Sequence, residues 1–177
     1  MAAQRPSPQA PPTAAQRAFV RDRLGREPRG LRAIAVGDEA GRPMVIRVAS
    51  VVDGKPFPTL FWLVDAQLCL RIDRAEASGL IATLQTQVDE SETLRGAMRD
   101  DHQAHIALRD GFLEDHERAR LASAGYQKAL QERGIGGIAD FSRIRCLHTW
   151  YAAHLVVPNT IGTLLDAHWR ESEVEAY

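Results

Sequence analysis

The sequence predicts an α+β domain: a small antiparallel sheet of about three strands, packed with an N-terminal helix and a C-terminal set of four to five helices. Three observations predict it. Short runs rich in β-branched and aromatic residues are confined to positions 31–64. From Ala66 onward the apolar residues recur at three- and four-residue spacings. Glycine- and proline-bearing turns punctuate the first region and close the second.

Residues 1–12 hold four prolines and almost nothing to bury, so they read as a disordered tail ahead of a single domain over 13–177. Thr13 can cap a helix running through Leu24, stopped by Gly25 and Pro28. LRAIAV (31–36) and MVIRVASVV (44–52) flank the turn GDEAGRP as a hairpin. The near-continuous apolar run FPTLFWLV (57–64) suits a covered central strand, with Pro58 at its beginning. A helix is predicted over Ala66–Val88, and a second is capped by Ser91 and buries Leu94, Met98, His105, Leu108 and Phe112. Glu114–Arg133 is helical with a break at Gly125, ending at Gly134. The loop GIGGIAD leads to a helix over Phe141–Val156, stopped by Pro158, and Ile161–Arg170 closes the chain.

The 177 residues suffice for one full core, and the sparse aromatics (6%) mean that aliphatic side chains must fill it. Two cysteines far apart make no disulfide framework, which indicates reduced thiols. The N-terminus lacks an apolar signal core, and the longest apolar stretch, TLFWLV, is too short to span a bilayer. The expectation is a cytoplasmic protein of bacterial type with no membrane partner. The net charge of −1 hides an asymmetry: residues 1–33 carry seven arginines against two acids, so the remainder is acidic.

RLGREPRG, DGKPFPTLFWL and GIGGIADFSRIRCLH together resemble the bacterial family known only as domain of unknown function 501, from roughly Val20 to Gly162. The resemblance implies a small α+β cytoplasmic domain and no assigned activity. Many members carry Cys-Pro-Cys-Gly between the first two strands, where this chain has Asp38-Glu39-Ala40-Gly41, and a cysteine after the third strand, where it has Val64-Asp65-Ala66. In those relatives such cysteines would make a plausible zinc set. The Cys146-Leu147-His148 triplet is kept, whereas His154 follows two alanines rather than the usual one. By the same resemblance His102 matches a frequent histidine, and His105 stands where tyrosine is expected.

Chemistry-bearing residues fall into two groups. On a regular helix Cys146 and His148 lie about 160° apart, and Cys146 and His154 about 12 Å apart along the axis, so no single metal joins them. They converge only if the helix starts near Leu147, when Asp65 would supply an oxygen. Metal ligation by Asp65, Cys146 and His148 is therefore the less favoured reading; a core helix is favoured, and no cofactor is expected, with zinc as the alternative. His102, Cys146 and His148 are the catalytic candidates, since His102 and His105 share a helix face with Asp101 nearby. The second group is the arginine-rich start. Arg21, Arg23, Arg26 and Arg29 would bind an anionic partner: an acidic protein surface, a nucleotide or an RNA backbone. No interleaved aromatics support base reading. The sequence thus favours a non-enzymatic interaction domain, with a small metal- or acid-base-dependent enzyme near Asp65, His102, Cys146 and His148 as the alternative.

Overall fold

The computed structural model describes residues 11–26 and 28–174. Most of the predicted tail lies outside the described residues; of its last two prolines, Pro12 is buried. Helix α1 (Ala14–Leu24) starts at Thr13, whose hydroxyl accepts from Gln16 N while the Gln16 side chain accepts from Thr13 N. Gly25, at φ 68°, ends it in the left-handed conformation that glycine adopts without a Cβ penalty.

Strands β1 (Leu31–Gly37), β2 (Pro43–Val48) and β5 (Phe61–Leu63) form an antiparallel sheet in the order β1-β2-β5. Asp38 fixes the first turn by accepting from Ala40 N and Arg42 N. The predicted second strand is cut short because Ala49 N turns to bond Gly30 O at 2.8 Å. Val51–Val52 (β3) and Lys55–Pro56 (β4) then make a separate two-stranded ribbon.

The central strand is β2, not the FPTLFWLV segment, which corrects the prediction. Only Phe61–Leu63 pairs, with Val45–Arg47, and it does so as an edge of the ladder. Its apolar character reflects the helix over Leu147–His154 that covers it. Alternation along β5 sends Phe61 and Leu63 into the main core, while half-buried Trp62 joins Val20, Leu24 and Phe57 beside α1.

The predicted helical runs are cut into seven segments. Gly79, at φ 88°, divides the first into α2 (Ala66–Ala77) and α3 (Leu80–Glu90). Ser91 caps α4 (Glu92–Gly111) through Leu94 N. Gly125 separates α5 (Asp115–Ser123) from α6 (Gln127–Gln131), as expected. A 3-10 turn at Ile135–Gly137 leads to α7, which spans Leu147–His154 rather than starting at Phe141. The preceding residues are held out of the helix by side chains. Gln85 accepts from Ile144 N and donates to Ser142 O, both at 2.9 Å, and Asp140 accepts from Ser142 N. Asn159 accepts from Gly162 N at the start of α8 (Thr160–Val174).

One face of α4 carries polar residues into the core. Arg109, 1% exposed, donates to the carbonyl oxygens of Pro58 (2.8 Å), Leu130 and Arg133. His102, fully buried, accepts from Ile135 N at 3.0 Å, and Gly134 lies so close to its ring that any Cβ there would collide. These two side chains therefore fasten the 130–137 segment to α4 and to the lead-in of β5. Replacing Arg109 with methionine should lower stability by about 3–5 kcal/mol, because three carbonyls lose their charged donor. A urea-unfolding shift below about 1 kcal/mol would show that the carbonyls find other partners.

Burial pushes His102 down to about 4 and His105 down to about 3, from 6.5; nearby Arg109 adds to the second shift. Folding thus favours the neutral rings, and the unfolded chain takes up protons that the folded chain refuses once the pH drops below 6.5. Stability is expected to hold above that pH and to fall on acidification toward pH 4. His105→Phe should flatten the fall by up to one proton, about 1.4 kcal/mol per pH unit, read from urea midpoints between neutrality and mild acid.

Candidate functional site

The late start of α7 decides what Cys146 and His148 can do together. Cys146 is the N-cap residue, in an extended conformation (φ −151°, ψ 118°). The helical angle therefore does not separate the two side chains, and Cys146 Sγ stands 3.8 Å from His148 Nδ1. Cys146 makes no side-chain cap, so the first amide of α7 needs another acceptor. Glu76, near the end of α2, supplies it: Oε1 accepts from Leu147 N at 2.6 Å and lies 3.4 Å from His148 Nδ1. One turn earlier on α2, Asp73 Oδ1 lies 3.3 Å from His148 Nε2.

Donor atoms of Glu76, Cys146 and His148 thus all fall within 4.8 Å of one another, each residue half-buried. Desolvation, reinforced by the Glu76 carboxylate, pushes the Cys146 thiol up. His148 also borders a cleft of about 300 Å³ whose walls include Phe57, Phe61, Trp62, Thr59 and Thr149. Among the described residues no lysine or arginine lines this cleft, and His148 at its wall contacts the Asp73 and Glu76 carboxylates.

The other residues singled out in the sequence lie elsewhere. Asp65 caps the opposite end of α2, accepting from Leu68 N at 2.8 Å, and Glu76 follows about 16 Å further along the axis. His102 is packed in the core, stacked on Phe141 and edge-on to Trp150. His105 Nε2 is buried without a hydrogen-bond partner. GIGGIAD makes a tight helix–helix connection: a Cβ on Gly136 would meet the Thr149 hydroxyl at 2.6 Å, and Gly136 itself has φ 64°.

Arg21, Arg23, Arg26 and Arg29 are all exposed. Arg21 is 3.8 Å from Asp22, Arg23 lies over the Phe19 ring, and Arg29 bonds Asp53 at 2.8 Å. Arg32 reaches the buried Glu117 at 3.0 Å, so part of the basic segment is paired within the molecule.

Sequence reasoning missed Asp73 and Glu76. They stand 70 or more positions from the Cys-Leu-His triplet, and their one local signal is an acidic pair at i,i+3 within the predicted helix.

No curated protein and no solved structure matches the chain. The model of one family, described as "Protein of unknown function (DUF501)", matches residues 34–167, well over half of the sequence, and with the α+β architecture above this establishes that the chain belongs to that family.

Proposed function

We propose that the protein is a small metal-dependent hydrolase in which Glu76, Cys146 and His148 hold a divalent transition metal, zinc by preference, beside the aromatic cleft. This departs from the expectation of no cofactor and replaces Asp65 with Glu76 in the ligand set. The observation that carries it is the spacing of the donors. Tetrahedral zinc with ordinary bond lengths sets nitrogen–oxygen edges at about 3.3 Å and nitrogen–sulfur edges at about 3.6 Å. His148 Nδ1 lies 3.4 Å from Glu76 Oε1 and 3.8 Å from Cys146 Sγ.

Two further features support it. With Nδ1 on the metal, His148 Nε2–H would donate to Asp73, the carboxylate–histidine arrangement that fixes the tautomer of a ligating imidazole. Held by Glu76, Cys146 and His148, such a metal would supply Lewis-acid activation of water beside the cleft. Apolar walls, and a His148 already paired with two carboxylates, suit an uncharged carbonyl compound with an aryl or alkyl group and disfavour phosphates.

Purified protein should take up one equivalent of zinc, and cobalt in its place should give a thiolate-to-metal charge-transfer band. Cys146→Ser should abolish the band, and Glu76→Gln should weaken zinc affinity by about 10- to 100-fold. Asp65→Asn should leave metal content unchanged. Sub-stoichiometric zinc in every preparation, or full zinc in Cys146→Ser, would defeat the proposal.

A second reading rests on the exposure of Arg21, Arg23 and Arg26 at the end of α1: a basic face for an anionic partner. Its weight is smaller, because Arg21 and Arg23 also complement the C-terminal dipole of their own helix. Replacing Arg21, Arg26 and Arg29 together with glutamine should abolish salt-sensitive capture of a polyanion such as heparin while leaving the melting curve in place. Unchanged capture by the triple variant removes this reading.

A further inference from the structure

The cleft that His148 borders is aromatic in a chain that is poor in aromatics. The sequence holds five phenylalanines, three tryptophans and three tyrosines in 177 residues, and Phe57, Phe61 and Trp62 are all at this one opening. Phe61 is buried in the core, but Phe57 and Trp62 are only half-buried, so part of each remains uncovered. Their ring centroids are 6.0 Å apart and their planes are tilted by 54°. A third flat ring can stack on one of two rings so tilted and meet the other edge-on. A saturated group would be buried by the same wall but would gain nothing from the ring quadrupoles, so the wall favours aryl over alkyl.

The polar side chains at the opening narrow the choice further. The ring nitrogens of His148 are taken up by Glu76, Cys146 and Asp73, and the Thr149 hydroxyl donates to Cys146 O at 3.0 Å. The Thr59 hydroxyl differs: it forms no hydrogen bond within the chain, and it is not sealed from solvent. Its position is held from behind, because Arg109 fixes the preceding carbonyl, Pro58 O, at 2.8 Å. A neutral donor held beside aromatic walls suits an uncharged acceptor such as a carbonyl oxygen.

We propose that the substrate is a neutral aryl-acyl compound: an aromatic ring that carries, directly or through a short linker, an amide or ester carbonyl. This names the substrate of the metal site and rests on that reading. The ring lies against Phe57 and Trp62, and the carbonyl oxygen accepts from the Thr59 hydroxyl on the way to His148. Thr59 and the ring pair are thus the residues that set specificity. The reaction consumes one water. Its oxygen bonds to the acyl carbon, the bond from that carbon to nitrogen or oxygen breaks, and the departing amine or alcohol takes a proton from the water.

The test separates binding from metal. On the full chain after chelation, phenylacetamide, cyclohexylacetamide and phenylacetate are titrated and followed by amide chemical shifts at Thr59, Trp62 and Thr149. Phenylacetamide should bind saturably, its cyclohexyl analogue about fivefold weaker, and the acid about tenfold weaker or less. Thr59→Val should cost phenylacetamide about fivefold and leave the phenyl-to-cyclohexyl ratio unchanged, whereas Phe57→Leu should narrow that ratio. On the zinc-loaded chain, ethyl phenylacetate should be hydrolysed with a higher kcat/KM than ethyl cyclohexylacetate. Equal binding of the two carboxamides, acid bound as tightly as amide, or undiminished binding in Thr59→Val overturns the substrate class, and stoichiometric zinc then leaves the metal reading standing. A chain that takes up no zinc loses the metal reading and the hydrolysis with it, whatever the carboxamides do.

Discussion

The most deeply buried arginine among the described residues, Arg109, organises the architecture. Among the described residues it has no carboxylate partner at hydrogen-bond distance; it gathers the carbonyls of Pro58, Leu130 and Arg133 from two distant stretches of chain. Burial lowers it to about 10, which leaves it charged at neutral pH. Three dipoles aimed at one cation compensate its desolvation without a second buried charge. The cost of this arrangement is specificity of placement: β5, the end of α6 and the following loop must all arrive at the same point on α4.

The candidate site depends on that placement. Phe61 follows Pro58 by three residues, so anchoring Pro58 O fixes one wall of the cleft that His148 borders. His102 continues the same device about two turns earlier on α4, taking Ile135 N and forcing glycine at position 134. The loop so held presses Gly136 against Thr149 and Gly137 against Pro58, which sets α7 beside β5. The half-buried cluster at the start of α7 is thus downstream of polar side chains that belong to a different helix.

These dependencies explain which parts were legible. Thr13, Ser91, Gly25 and Gly125 act locally, through their own amides or their own φ, and their roles could be read from short windows. Periodicity likewise located the sheet and the helical region. The start of α7 was not legible, because Phe141–Arg145 has helical spacing and is withheld from the helix by Gln85, nearly 60 positions earlier. Strand order failed for a related reason. An apolar run reports that both faces are covered, not that both edges are paired, and α7 supplies the cover for β5.

The same shift of a helix boundary carries the chemical argument. Side chains at i and i+2 diverge within a helix but can meet when the first residue is an extended cap, and this converts Cys146 and His148 from opposed to adjacent. An uncapped helix start then calls for an acceptor from outside, and Glu76 answers it with the atom that also approaches His148. A cation shared by Glu76, Cys146 and His148 would therefore tie α2 to α7 at the point where α7 begins. Metal binding and the order of that helix would then be linked, since the groups that hold the ion are those that define the cap. The acidic pair at Asp73 and Glu76 gains a division of labour from this geometry: Glu76 meets the amide and the ion, and Asp73 orients the ring that reaches them.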